Sequence, residues 1–328
     1  MICFDFNKSK FVSLHNIKIF IKVDMSNVIR IKKGLNINLV GEAEKTIKEL
    51  TTDQFAIKPT DFIGVFPKLL VAEGDQVKAG SPLFMDKYRE NILFTSPVSG
   101  SIQEIKRGAK RVLLEVRIQS DGKDEAVDFG QADPLKLDKA AVTEKLLASG
   151  IWPMLRQRPY SVIANPADEP KAIFISTFDS APLAPDNDLI VHGQGDAFQK
   201  GLDALTRLTK GKVHLNLDAN STQSKVFANS KGVQINKFAG PHPAGNVGVQ
   251  INKIDPINKG EVVWYLYPQD VITIGKLFTT GNYVADKVIA LTGPEVLKPA
   301  YYKTKIGARL QAFVKDNVTN VEKRFISG

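Results

Sequence analysis

The sequence predicts an α/β plus β chain: a small two-fold β-sandwich of the lipoyl/biotinyl type, a barrel-sandwich hybrid, followed by an open, mostly parallel α/β sheet. Two observations predict it. Between Val71 and Ile118, short β-former runs break at Glu73-Gly74-Asp75, at Ala79-Gly80 and again at Ser96-Pro97 and Ser99-Gly100, so residues that tolerate positive φ recur around a hairpin. From Lys171 onward, apolar runs alternate with helical patterns, which is the signature of βαβ units and a parallel sheet. A length of 328 residues accommodates two or three domains with their own cores.

Taken in order, residues 1–24 are basic, β-branched and aromatic. Lys8, Lys10, Lys18 and Lys22 interrupt their apolar stretch and no small-residue cleavage site closes it, so the secretory pattern fails. They are expected to be a poorly ordered extension ahead of a start at Met25. The first domain is expected over residues 25–120: a strand or strand pair from Val28 to Leu39 broken at Gly34, a run from Lys48 to Ile57, and the barrel-sandwich from Lys58-Pro59. Residues 121–150 read as a linker, with a charged turn at Asp121–Asp124 and an amphipathic helix from Asp138 to Ser149 that stops at Gly150. The α/β domain follows over residues 151–300. Its expected strands are Lys171–Thr177, Lys212–Leu217, Val233–Phe238, Glu261–Tyr265 and Lys287–Leu291, and its expected helices are Phe198–Thr209 and Gln269–Phe278. Residues 301–328 give a strand, a turn at Gly307 and a short helix, expected to be a fragment of a small third domain whose remainder is missing.

Hydrophobic content of 43% with 24% charged residues is that of an ordinary soluble protein, and no apolar run approaches the roughly 20 residues that span a bilayer. The single cysteine, Cys3, excludes an internal disulfide and any multi-cysteine zinc or iron-sulfur site, and it fits a reducing, cytoplasmic setting. A net charge of +9 asks for an acidic partner: nucleic acid, an anionic membrane surface or an acidic protein subunit. The basic knots at Arg30–Lys33 and Lys106–Arg111 carry no interleaved aromatics to stack bases, so nucleic acid is the least favoured.

Few motifs carry chemistry. Met85-Asp86-Lys87-Tyr88 puts Lys87 near the hairpin tip where carrier domains bear a lipoyl or biotinyl arm. The stretch from Lys87 to Ser96 is long for a carrier loop and Tyr88-Arg89-Glu90 replaces the usual small residue, which favours a solvated turn lysine. His192-Gly193-Gln194-Gly195 offers two of the three glycines of a flavin- or nicotinamide-nucleotide loop, but Phe198 stands in the third place and Asp196 would repel a pyrophosphate; a plain loop and N-cap competes. His15, His192, His214 and His242 lie far apart with no Glu or Asp at metal-ligand spacing, and no nucleophile elbow can be assembled. No catalytic residue, cofactor-binding residue or metal ligand is therefore assigned. Two segments remain as candidates. Gly240-Pro241-His242-Pro243-Ala244-Gly245 leaves the carboxyl end of a predicted strand, where open α/β sheets present their ligand crevice; a rigid turn with an incidental histidine is the alternative. In Ile151–Tyr160, Trp152, Arg156, Arg158 and Tyr160 have the composition of a partner interface or a flat-ring ligand site, against plain interdomain packing.

Seven motifs in order then point to a family: IRIKKGLNINLVG from Ile29, RGAKRVL from Arg107, GIWPMLRQRPY from Gly150, KAIF from Lys171, FAGPHPAG from Phe238, QDVITIGKLFTTG from Gln269, and the closing IGARL and FISG. The chain from Met25 to Gly328 closely resembles the A-type subunits of the sodium-translocating NADH:quinone oxidoreductases. The resemblance implies a Rossmann-like α/β domain and, at the end, the start of a β-grasp domain of the SLBB type. It implies a peripheral subunit on the cytoplasmic face of the bacterial inner membrane, docked on integral membrane subunits of a redox-driven sodium pump and involved with its substrate ubiquinone. No cofactor is then held tightly by this chain, and NADH, FAD, FMN and iron-sulfur chemistry belongs to sister subunits. The family is similar to the C-type subunits of the electron-bifurcating Rnf complexes and to the flavin-binding subunit of respiratory complex I, whose glycine-rich flavin loop and cysteine ligands this sequence lacks. The extension before Met25 and the end at Gly328 depart from the family pattern.

Overall fold

A computed structural model describes residues 13–14, 17–18, 28–221 and 224–327. Within the amino-terminal extension, Ser13–Leu14 pairs antiparallel with Ile17–Lys18; the remainder, on which the expectation of disorder falls, lies outside the described residues.

The β-sandwich is built from two antiparallel sheets. One has the order Gln54–Ile57, Leu113–Ser120, Gly100–Arg107, Gln76–Val77; the other has the order Pro67–Leu69, Pro82–Asp86, Arg89–Thr95. Their inward residues Leu83, Phe84, Ile92, Phe94, Ile102, Val116 and Ile118 are all buried, and Phe84 stacks on Phe94 at 4.6 Å between ring centres. Gly100 explains the sharp entry into its strand: at φ +151° a side chain there would overlap the carbonyl of Gln119. The Lys87–Ser96 stretch is not a long loop. Asp86 pairs with Arg89, so the turn is only Lys87-Tyr88, and Arg89–Thr95 is the returning strand.

The second module is a seven-strand sheet in the order Val162–Ile163, Arg156–Arg158, Val263–Leu266, Ile173–Ser176, Val213–Asp218, Gln234–Ala239, Val28–Arg30. The last five are parallel and the first two form an antiparallel hairpin. The helices Gly195–Arg207 and Pro268–Thr280 cover one face, and Val247–Ile254 packs on the other against Phe174, Val263 and Tyr265. The core under the first face is continuous with that of the β-sandwich, which joins the two modules through buried side chains.

Two strands sit elsewhere than expected. Val28–Arg30 leaves its sequence neighbours and pairs parallel with Gln234–Ala239 at the edge of the α/β sheet. Asp286–Leu291 does not extend the parallel sheet: it joins Ala300–Lys305 and Glu44–Glu49 in a separate three-strand sheet. The reason is burial. A strand inside a doubly covered parallel sheet is buried on both faces, whereas every residue of Asp286–Leu291 is half-exposed and hairpins directly onto Ala300–Lys305. The segment from Val28 to Ser120 thus contributes strands to three modules.

Candidate functional site

The parallel strands reverse their chain order between Ile173–Ser176 and Val263–Leu266, and a crevice opens beyond the carboxyl ends of strands at such a switch point. Four chain segments converge there. Ser176 leads into Phe178, Asp179 and Ser180; Leu266 leads into Tyr267; Ala239 leads into Gly240–Gly245; and Arg156–Arg158 runs antiparallel beside Val263–Leu266 with Arg156 opposite Tyr265.

The strand pairing places Arg156 and Arg158 on the face shared with Tyr265. The Arg158 guanidinium lies 4.9 Å over the Tyr265 ring, and its Nε is buried with no hydrogen-bond partner among the described residues. Tyr265 Oη is fixed by Ser161 Oγ at 2.6 Å. Arg156 sits 5.4 Å over Phe62, a ring of the β-sandwich, so the arginine pair spans the two modules. Tyr267 is exposed and heads the Pro268–Thr280 helix, where the Asp270 carboxylate accepts from its backbone N–H at 3.2 Å. Partial burial, then Tyr265 and Asp270, raise the Tyr267 phenol above its ordinary value, with Arg156 opposing. Tyr160 is open to solvent.

Trp152 is different. Its indole is fully buried, donates from Nε1 to the Ala164 carbonyl at 2.8 Å and meets Trp264 edge-on at 5.5 Å, so it supports the arginine strand from the core side and has no free face for a ligand.

The Gly240–Gly245 loop is clamped from two sides. His242 donates its backbone N–H to Asn36 Oδ1 at 2.8 Å, its carbonyl accepts from Leu35 at 3.0 Å, and its Nδ1 meets Ser180 Oγ at 3.0 Å. Gly245 donates to the same Ser180 oxygen at 2.9 Å. Gly240, at φ +130°, has room only for hydrogen, since a Cβ would overlap the Ile31 carbonyl. Lys87 is exposed at its turn, 5.9 Å from the Tyr88 ring centre and remote in the chain from these segments. In the glycine pair near His192, Gly195 opens the helix and Gln194 caps it without a side-chain bond.

Sequence reasoning missed a chain of buried polar side chains beneath the loop. Gln250 Nε2 donates to Ser176 Oγ at 2.9 Å and to the Ala244 carbonyl at 3.1 Å, while its Oε1 accepts from Asn216 at 2.8 Å. Asn236 donates to Asn216 Oδ1 at 2.8 Å and reaches His214 Nδ1 at 3.2 Å. The available signal was His214 and Asn216 alternating with Val213, Leu215 and Leu217 in a central strand, a position where a polar residue needs a partner. His214 stacks on Phe174 at 4.5 Å, and burial, then Lys212, lower its pKa to about 4. The folded chain therefore binds fewer protons than the unfolded chain between the ordinary value near 6.5 and about 4. Stability should be intact above the upper value and fall as pH drops through that window, by about 3 kcal/mol. Urea unfolding at pH 7 and pH 4.5 measures the loss, and in His214→Phe that component should vanish.

Three family profiles match in order along the chain: the NqrA N-terminal barrel-sandwich hybrid domain over residues 29–121, the NqrA second alpha/beta domain over residues 137–283, and the NQRA C-terminal domain over residues 288–328. A protein of Yersinia pseudotuberculosis, named as the A-type subunit of a Na(+)-translocating NADH-quinone reductase, is 42% identical over 305 residues, which is 92% of this chain and 68% of that protein. The protein of the same name from Photorhabdus laumondii is 41% identical over 305 residues, with the same coverage of 92% and 68%. The chain belongs to the NqrA family of the Na(+)-translocating NADH-quinone reductases. The crevice lies in the second of the three NqrA domains, and Phe62 is the contribution of the first. Among solved structures, an NAD+-reducing [NiFe]-hydrogenase in the H2-reduced state shares 13% identity with a TM-score of 0.39, covering 56% of this chain and 42% of that chain, a likeness too weak to argue from. Among the described residues no helix is long and apolar enough to cross a membrane, and no group of three or more His, Cys, Asp or Glu side chains could hold a metal ion.

Proposed function

We propose that this chain is the peripheral, non-redox subunit of a sodium-pumping NADH:quinone oxidoreductase, docked on integral membrane subunits at the cytoplasmic face of the bacterial inner membrane, and that it shapes the quinone end of the reaction. The observation that carries the reading is 42% identity to a named NqrA-type protein, extending through all three domains over 92% of the chain. On this reading NADH, flavins and iron-sulfur centres stay with sister subunits, and the three domains are lipoyl-like, Rossmann-like and the start of a β-grasp. The hairpins about Lys87, the switch-point strand order and the Glu44–Glu49, Ala300–Lys305 pairing support those assignments.

The crevice supports the quinone part. Tyr267 is exposed and meets the buried Tyr265 edge-on at 6.2 Å, with Arg156 and Arg158 alongside: one planar ring open for stacking, and fixed cations where an oxygen acquires negative charge as a quinone is reduced. The buried, unpartnered Arg158 Nε is a donor awaiting an acceptor. Affinity purification of the tagged chain from membranes should bring down the other pump subunits; a chain that never associates with them excludes the reading. In the assembled complex, Arg156→Ala should cut quinone-dependent turnover roughly tenfold while leaving NADH oxidation by an artificial acceptor unchanged, the size expected for one charge-stabilising group. Equal loss of both activities would return Arg156 to packing.

A further inference from the structure

The largest run of exposed aliphatic side chains on the described molecule lies neither in the crevice nor on a helix. It lies on an extended strap that leaves the edge strand Val28–Arg30. Leu35, Ile37, Leu39 and Val40 are 70%, 57%, 54% and 73% exposed, within six residues. The strap is pinned at both ends: Ile31 and Leu35 donate to the carbonyls of Ala239 and His242 at 2.8 and 3.0 Å, and the Gly41 carbonyl accepts from Gly293 at 2.9 Å. Between the pins, residues 36–40 make no backbone–backbone hydrogen bond among the described residues. Beside the apolar run stand Arg30, Lys32 and Lys33, all exposed and without an ion-pair partner among the described residues, and no acid lies between Arg30 and the Gly41 pin.

We infer that this strap is a membrane-contact element, with Leu35, Ile37, Leu39 and Val40 entering the headgroup boundary of an anionic bilayer and Arg30, Lys32 and Lys33 at the level of its phosphates. The inference rests on the reading of the chain as a peripheral subunit of a membrane complex, and deepens it by naming the surface that faces the lipid. Chemistry favours lipid over protein as the occupant. Protein interfaces concentrate aromatic residues and arginine and are depleted in lysine. This strap has aliphatic side chains, no aromatic, and two lysines to one arginine, a composition in which long cationic side chains reach the headgroups while short apolar ones sit deeper. Exposed aliphatics of this density on one short segment mark a contact surface. The position also has a consequence for the crevice: the strap holds both backbone groups of His242, through Asn36 and Leu35, so whatever the strap binds also steadies the Gly240–Gly245 loop.

The test is sedimentation of the full chain with vesicles of phosphatidylcholine alone or mixed with phosphatidylglycerol. Binding should require the anionic lipid and weaken as salt is raised. Lys32→Glu with Lys33→Glu should lower partitioning by about tenfold or more, since each cation near an anionic surface contributes about a factor of five. Ile37→Asn with Leu39→Asn should lower it similarly while leaving the melting temperature and circular dichroism at wild-type values, because the two side chains replaced are exposed to solvent. A wild-type chain that does not sediment, or variants that sediment as it does, would overturn the inference and assign the strap to a protein contact. Co-purification of sister subunits decides the parent reading separately. Vesicle binding without co-purification keeps the strap and removes the role in the pump, and co-purification without vesicle binding does the reverse.

Discussion

Replacing Gly275 by valine should lower the stability of the α/β domain by about 4 kcal/mol or more, enough to leave much of the protein unfolded at physiological temperature. The helices Gly195–Arg207 and Pro268–Thr280 cross with their backbones in contact. A Cβ at Gly275 would overlap the carbonyl oxygen of Ala197 and crowd the Gly201 nitrogen, and a Cβ at Gly201 would overlap the carbonyl of Val271. Neither helix can retreat, because Phe198, Leu202, Leu205, Ile274, Leu277 and Phe278 are all buried in the core that also joins the β-sandwich. Two added methyl branches must therefore push one helix off the sheet or distort both. Gly195→Ala is the control: its Cβ would meet nothing nearer than a Val226 methyl at 3.9 Å, and a shift within about 0.5 kcal/mol is expected. Urea midpoints of the two variants measure the difference. A Gly275→Val protein with the wild-type midpoint would mean that the helices do not cross here.

That crossing also shows what the sequence could and could not tell. KAIFIST and the run after Glu261 are legible because strands buried on both faces read as continuously apolar, the run after Lys212 keeps Val213, Leu215 and Leu217 around its polar residues, and their alternation with helices sets the parallel order. Arg156–Arg158 is a strand of the same sheet with no apolar residue in it; its ladder partner Val263–Leu266 lies over a hundred residues later, so periodicity has nothing to detect. Val28–Arg30 is legible as a strand, but its partner is fixed only by the fold. The Val247–Ile254 helix hides behind a proline-rich loop and a glycine at its second position. For the site, composition singled out Arg156, Arg158 and His242, which the structure brings to the switch-point end of the sheet. Composition could not separate Trp152 from them, since an aromatic in a loop reads the same whether its ring meets a ligand or, as here, another indole in the core. Nor could it mark Gln250, an ordinary polar residue on a short helix until the structure shows it fully buried.

Gln250→Leu should cost about 3 kcal/mol and, on the proposed reading of the crevice, reduce quinone-dependent turnover of the assembled complex roughly tenfold or more. Leucine matches glutamine in volume, so the loss is electrostatic in origin rather than a cavity. With the amide gone, the Asn216 Nδ2 proton and the Ala244 carbonyl are left buried without these partners, and Ser176 Oγ loses a donor. An unsatisfied buried group costs about 1–3 kcal/mol, and the low dielectric inside the sheet allows little relief. Ser176 Oγ also donates toward the Gly245 carbonyl at 3.1 Å, so both Ala244 and Gly245 lose support from below, while Ser180 alone holds Gly245 from above. The loop that carries His242 should therefore loosen while Arg156 and Arg158, held by the other edge of the crevice, stay in place. Hydrogen exchange at the Gly245 amide reads that loosening directly, and its protection should fall in the variant. If the polar side chains act as a unit, removing a second partner hurts less than removing the first. Gln250→Leu combined with Asn216→Leu should then recover part of the stability lost in the single variant, because the stranded amide is removed too. A double variant whose losses simply add would show that Gln250 and Asn216 act independently, and that the Gly240–Gly245 loop takes its position from Ser180 and the strap alone.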